Sequence, residues 1–186
     1  MKKFLTLCAV VLLVSSLAIT GASAQAKNGD NVITAGLGLG YPGLYGTSGM
    51  PPLFVAFDHG IVQNFSVGGI LSYSTSSYDF SNNYKWSYSY IFVGARGAYH
   101  FGPMLKELPK NIDVYGGLTL GYHIVSAKYD GLGDEGVAAR FYSAGASYFG
   151  FGFFAGGRYF FTPKFGATAE VGYDIGYLKI GISYAL

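Results

Sequence analysis

Charge is scarce in this sequence. Of its 186 residues only 12% are charged, 12 Lys or Arg and 10 Asp or Glu, where an average soluble domain carries about 25%. The formal net charge of +2 is too small to mark a nucleic-acid groove, so no nucleic-acid partner is expected. A single cysteine, Cys8, excludes a disulfide within the chain. The three histidines, His59, His100 and His123, are scattered with no cysteine beside them, which argues against a zinc site. Beyond residue 24 there is no run of about eighteen apolar residues, so no transmembrane helix is expected there. Helical patterning is equally sparse, because Gly (29) and Tyr (17) are abundant and both are poor helix formers. What the chain has in quantity is apolar and aromatic surface, 51% and 18% of residues, and that excludes disorder.

Residues 1–24 read as an address. Lys2 and Lys3 precede a mostly apolar stretch over 4–19, and Ala22-Ser23-Ala24 forms an A-x-A cleavage site. This is the layout of a cleaved secretory signal peptide. The stretch is short for an anchor, and no basic stop-transfer cluster follows it. Leu7 is too bulky for lipoprotein processing at Cys8. The folded domain is therefore expected over 25–186. Cleavage removes two of the 12 basic residues and the only thiol, leaving 10 basic against 10 acidic residues. A thiol-free chain suits an oxidising compartment. Zero net charge suits lipid better than water.

The pattern that recurs is strict alternation, the period of a strand. Eight segments carry it, at about 31–40, 52–59, 64–74, 86–101, 112–125, 147–161, 165–174 and 177–186. In each, one set is apolar: Ile33, Ala35, Leu37 and Leu39 in the first, Phe149, Phe151 and Phe153 in the sixth, Leu178, Ile180 and Ile182 in the last. The other set is Gly, Ser and Thr with a few charges. Glycine cannot clothe a soluble surface, so the apolar set is assigned to hydrocarbon and the small set to a narrow interior. Ten residues at ~3.3 Å, tilted ~45°, span about 23 Å, the height of an outer-membrane apolar band. Backbone groups at an open sheet edge in lipid would lose several kcal/mol each. The fold class expected is therefore all-β, an eight-stranded antiparallel up-and-down transmembrane β-barrel. Connections at 59–64, 102–111 and 162–164 are read as the short end, which carries both termini in the periplasm; those at 41–51, 75–85, 126–146 and 174–176 form the other end.

By parity six charged residues point inward: Asp58, Arg96, Asp113, Arg158, Glu170 and Lys179. They are expected to form a lumen charge network, since buried unpaired charge is costly. Asp58 and Asp113 are placed near the periplasmic mouth, in water. The aromatics Tyr73, Tyr78, Tyr84, Trp86, Tyr88 and Tyr90 are read as a headgroup girdle or as part of an extracellular loop. Asp130, Asp134 and Glu135 lack the spacing of an EF-hand. Gly38-Leu39-Gly40-Tyr41-Pro42-Gly43 matches a dinucleotide fingerprint without the helix that motif needs. His123 with Ser126 is the one Ser/His pair placed near the outer rim, with no orienting acid evident. No cofactor, metal or catalytic residue is expected, and the chain is read as non-enzymatic.

The chain end carries a further sign. Lys179-Ile180-Gly181-Ile182-Ser183-Tyr184-Ala185-Leu186 fits the polar-x-Gly-x-x-aromatic-x-aromatic assembly signal, with Leu186 in place of the last aromatic. Over 25–186 the sequence resembles the small outer-membrane β-barrel proteins of Gram-negative bacteria, of the OmpX, OmpW and OmpA-barrel kind found in Bacteroidetes. The resemblance implies Lys179, Gly181, Tyr184 and Leu186 as the assembly signal. It implies a bacterial outer-membrane location and a monomer among outer-membrane lipids and lipopolysaccharide. Barrel-assembly machinery and periplasmic chaperones would be partners during biogenesis. It also implies a structural or surface-interaction role through extracellular loops. The alternatives are a narrow porin-like channel for small solutes and a lipid A-modifying enzyme.

Overall fold

Period-two alternation gives every strand an oily face and a polar face, and closing one sheet on itself removes the sheet edge that lipid would penalise. A computed structural model describes residues 28–40, 49–81, 84–102, 104–105, 107–131 and 147–186. Eight strands follow in order: β1 (Asn31–Leu39), β2 (Leu53–Val62), β3 (Phe65–Ser81), β4 (Tyr84–His100), β5 (Ile112–Gly131), β6 (Tyr148–Phe160), β7 (Phe165–Tyr173) and β8 (Leu178–Ala185). Each pairs antiparallel with its neighbours, and β1 with β8, into a closed up-and-down barrel. The seam runs from Val32↔Ala185 to Leu39↔Leu178. Among the described residues no helix is long and apolar enough to cross a membrane. The signal-peptide residues 1–24 lie outside the described residues.

The faces fall as the alternation requires. Phe149 and Phe151 are 77% and 81% exposed and Val171 58%, with Leu118 and Ile180 exposed beside them. A soluble protein would hide these side chains. The interior holds two small apolar groups instead, Phe54, Ile70, Phe92 and Ile175 in one and Ala98, Tyr115 and Phe154 in the other. Inward glycines make room for the rings. A methyl group on Gly121 would sit 2.5 Å from Phe92 Cζ, and one on Gly117 2.6 Å from Phe154 Cζ.

The two ends differ. At the end carrying the start of β1 and the end of β8, β2 turns into β3 through Gln63-Asn64, with Asn64 at φ 70°, a left-handed value Asn tolerates. In the β6–β7 turn, Phe165 N–H donates to Thr162 Oγ1 at 2.8 Å. At the other end the wall is uneven. Residues 75–81 and 84–85, expected as part of a loop, are strand: the β3–β4 ladder continues through Thr75↔Ser89 and Tyr78↔Trp86 to Asp79↔Lys85. On β5 it is matched by Trp86↔Tyr129 and Lys85↔Asp130. Its Thr, Tyr, Phe and Trp residues favour strand but lack the oily alternation that identifies one. The β2 ladder stops at Leu53↔Tyr73 and the β6 ladder at His123↔Tyr148, so β3–β5 stand above the rim.

Candidate functional site

The inner faces of six strands deliver one charged residue each to the lumen. Asp58 stands opposite Gly68, and Gly68 opposite Arg96, so no side chain on β3 separates the acid of β2 from the base of β4. Arg96 Nε lies 3.0 Å from Asp58 Oδ1 and Arg96 Nη2 2.7 Å from Glu170 Oε1. Arg158 binds Asp58 from β6, and its Nη1 is 3.8 Å from Asp113 Oδ2. Lys179 Nζ is 2.9 Å from Glu170 Oε2 and also reaches Asp174. Tyr115 O–H donates to Glu170 Oε1 at 2.7 Å.

Two acids therefore act as cross-lumen ties. Asp58 joins Arg96 to Arg158, and Glu170 joins Arg96 to Lys179. Aromatic faces fill the space between: the Arg96 guanidinium is 4.2 Å from the Phe154 ring centre and that of Arg158 4.6 Å from Tyr115. Charges so placed are held because partners replace their water; removing one partner strands the rest.

Two sequence expectations are corrected. Asp58 and Asp113, placed in water at the mouth, are 4% and 1% exposed, because Arg96 and Arg158 close over Asp58 and His100 and Arg158 over Asp113. Asp174, left out of the network, belongs to it through Lys179. Continuing the inner parity of β7 past Glu170 to Gly172 and Asp174 was the signal for it.

A second group lies at the terminus-bearing end. Ser66 Oγ is 2.9 Å from His100 Nε2, and His100 Nδ1 is 2.9 Å from both Asp113 oxygens. All three residues are buried. Sequence reasoning missed the group because Ser66, His100 and Asp113 share no spacing; they meet because β3, β4 and β5 are adjacent and each contributes an inner position near the same rim. Where Thr34 faces Ser183 across the seam the interior is neutral: Ser183 Oγ hydrogen-bonds Thr34 Oγ1 at 2.8 Å and the Thr168 hydroxyl.

Above the charges the lumen becomes aromatic. His123 lies between Phe92 (centroids 4.5 Å) and Tyr148 (4.6 Å, stacked at 17°). His123 points inward and Ser126, on the outer parity of the same strand, is exposed, so the His123–Ser126 pair expected near the rim does not form. The girdle set divides too. Tyr73 faces out, whereas Tyr90 is buried at 8% exposure and stacks with Tyr88 at 6.3 Å; inner parity takes Tyr90 off the lipid face. The side chains of Tyr78, Tyr84 and Trp86 lie outside the described residues, as do Asp134 and Glu135 and the side chain of Asp130. Outward aromatic belts come from other positions: Tyr122–Phe149 and Phe153–Tyr173 toward one end, Tyr99–Phe101 and Phe165–Tyr184 toward the other.

Of the chain-end residues, Lys179 is sunk in the ion network and Gly181 faces Gly36 across the seam. Tyr184 packs on Phe165, with Lys164 Nζ 5.5 Å from its ring centre. Leu186 N–H donates to Asn31 O at 3.0 Å, closing the last rung.

No protein-family model matches the chain, and no curated protein matches it. Solved structures do. The attachment invasion locus protein Ail of Yersinia pestis superposes with a TM-score of 0.51 at 16% identity, over 85% of this chain and 95% of that one. The outer membrane protein OprG of Pseudomonas aeruginosa superposes with a TM-score of 0.56 at 12% identity, over 88% of this chain and 99% of that one. In fold, this chain is an eight-stranded barrel resembling these small outer-membrane proteins.

Proposed function

We propose that the protein is an integral barrel of the bacterial outer membrane, closed to solutes, that serves the envelope structurally or through surface interactions of the end opposite its termini. The observation that carries this reading is the cross-lumen ion network, in which Asp58 and Glu170 tie Arg96, Arg158 and Lys179 into one buried group. An open pore would leave water between these side chains. The oily outer face supports the membrane setting, and the likeness to small outer-membrane barrels supports it at the level of fold. Lipids and lipopolysaccharide would surround a monomer; assembly machinery would read Lys179, Gly181, Tyr184 and Leu186 at the chain end.

Single-channel recording in planar bilayers tests the seal. The folded barrel is expected to give no stable conductance, and a steady large conductance would overturn the reading in favour of the narrow channel. Cell fractionation with heat-modifiable gel mobility tests the location: the expected result is an outer-membrane band that migrates differently when boiled.

A further inference from the structure

We propose that Ser66 is an activated nucleophile, set by His100 and Asp113, that takes acyl groups from small esters reaching the barrel through its terminus-bearing mouth. This goes beyond a closed envelope barrel, which needs no chemistry. The geometry is that of a nucleophile, a base and an orienting acid in series. Ser66 Oγ is 2.9 Å from His100 Nε2, and His100 Nδ1 is 2.9 Å from both oxygens of Asp113. A neutral imidazole with its hydrogen on Nδ1 satisfies both contacts: it donates to Asp113 and accepts from the Ser66 hydroxyl. That is the arrangement that activates a serine, and it is recognised by geometry and role wherever it occurs in a chain.

The surroundings separate this group from an ordinary buried hydrogen bond. At the seam hydroxyls bond to hydroxyls, as Thr34, Ser183 and Thr168 do, whereas Ser66 faces an imidazole anchored by a carboxylate. Arg158 brings a cation to the same end, with Nη1 3.8 Å from Asp113 and Nε without an acceptor among the described residues. Ser66 is the second residue of β3, His100 the last of β4 and Asp113 the second of β5, one layer in from the rim; at 3% exposure Ser66 is reached only when the side chains at that mouth part.

The step balances without a cofactor. As the Ser66 Oγ–acyl carbon bond forms, the hydroxyl proton moves to His100 Nε2; as the ester C–O bond breaks, that proton passes to the leaving alcohol. Water then gives a proton to Nε2 and its hydroxyl to the acyl carbon. Ser66 Oγ leaves, reclaims the proton, and the carboxylic acid is released.

The full chain refolded into detergent micelles, with folding checked by heat-modifiable mobility, is treated with a fluorophosphonate probe and with p-nitrophenyl acetate. Peptide mass spectrometry is expected to place one phosphonyl group on Ser66, with labelling of the native barrel about 10²-fold faster than of the boiled chain. Ser66→Ala should abolish the label, and His100→Gln and Asp113→Asn should slow it while leaving the mobility shift in place. Native protein that labels no faster than boiled protein, or that labels at another residue, overturns the proposal; so does a histidine ¹⁵N spectrum with both His100 nitrogens protonated at pH 7. The native-against-boiled comparison needs no variant and decides the matter even where a variant fails to fold.

Discussion

Below Phe92 the lumen is ionic, and above it the lumen is aromatic and hydroxylic. The lower part holds Asp58, Arg96, Asp113, Arg158, Glu170 and Lys179, tied across the barrel by shared carboxylates. The upper part holds Ser72, Ser74, Tyr90 and His123, with rings in contact rather than ions. Between them lies a thin apolar layer of Phe54, Ile70, Phe92 and Ile175. The lower part is ringed by all eight strands, whereas among the described residues much of the upper part stands on β3–β5. A closed ring can hold charges because every direction offers a partner. A wall standing above the ring offers fewer partners, and there side chains with both an oily and a polar end are the safer choice. The barrel's stability should therefore reside below Phe92, leaving the wall above it available for recognition.

The largest expected effect breaks the ionic half. Arg96→Ala removes the one side chain shared by both ties and leaves Asp58 and Glu170 each short of a partner. The expected loss is about 3–5 kcal/mol, read as a lower urea midpoint for the mobility-shifted species in vesicles. An unchanged midpoint would mean that water already solvates these carboxylates and that the lumen is not sealed.

The next effect tests the outer face. Leu118→Arg, at mid-height on β5, should cost about 2–4 kcal/mol in a bilayer, and Ile124→Arg, nearer the rim, only about 0–1 kcal/mol. The gradient is the signature of lipid on the outside. Equal costs at the two positions would deny it.

A smaller effect resolves the network into pairs. Arg96 and Glu170 touch at 2.7 Å, so Arg96→Ala and Glu170→Ala should be non-additive by about 0.5–3 kcal/mol. Arg96→Ala with Thr34→Val, a change in the hydroxyl chain at the seam, should add within about 0.5 kcal/mol.

How much of this could be read beforehand follows the same division. Facing was legible, because a one-residue slip would turn Phe149, Phe151 and Phe153 inward and Arg158 and Glu170 into hydrocarbon. The six inward charges followed from parity alone. Their pairing did not, since Asp58 reaches Arg158 only through closure and stagger, which alternation within one strand does not encode. For the same reason Ser66, His100 and Asp113 looked unrelated. The stretch 75–85 was misread as loop because Thr75 to Lys85 is mostly Ser, Asn and charge with a few aromatics. That pattern builds strand in a wall standing clear of the rim, without the oily contrast that marks a strand against lipid.

The smallest expected effect lies in that wall. Tyr88 sits on β4 opposite Ser76 and Ala127, half-buried and above the Phe92 layer. Tyr88→Ala removes its contact with Tyr90, 6.3 Å between ring centres, but leaves the ladder on both sides intact. A stacked pair of this kind contributes about 0.5–1.5 kcal/mol, and part of that returns as the freed ring of Tyr90 finds other contacts. The change should therefore stay below about 1 kcal/mol by urea midpoint, with the mobility shift preserved. A loss as large as that of Arg96→Ala would show that the wall and the ionic ring unfold as one unit. A small loss means that sequence can vary freely above Phe92 while the ring below keeps the barrel closed, which is the freedom a surface facing changing partners requires.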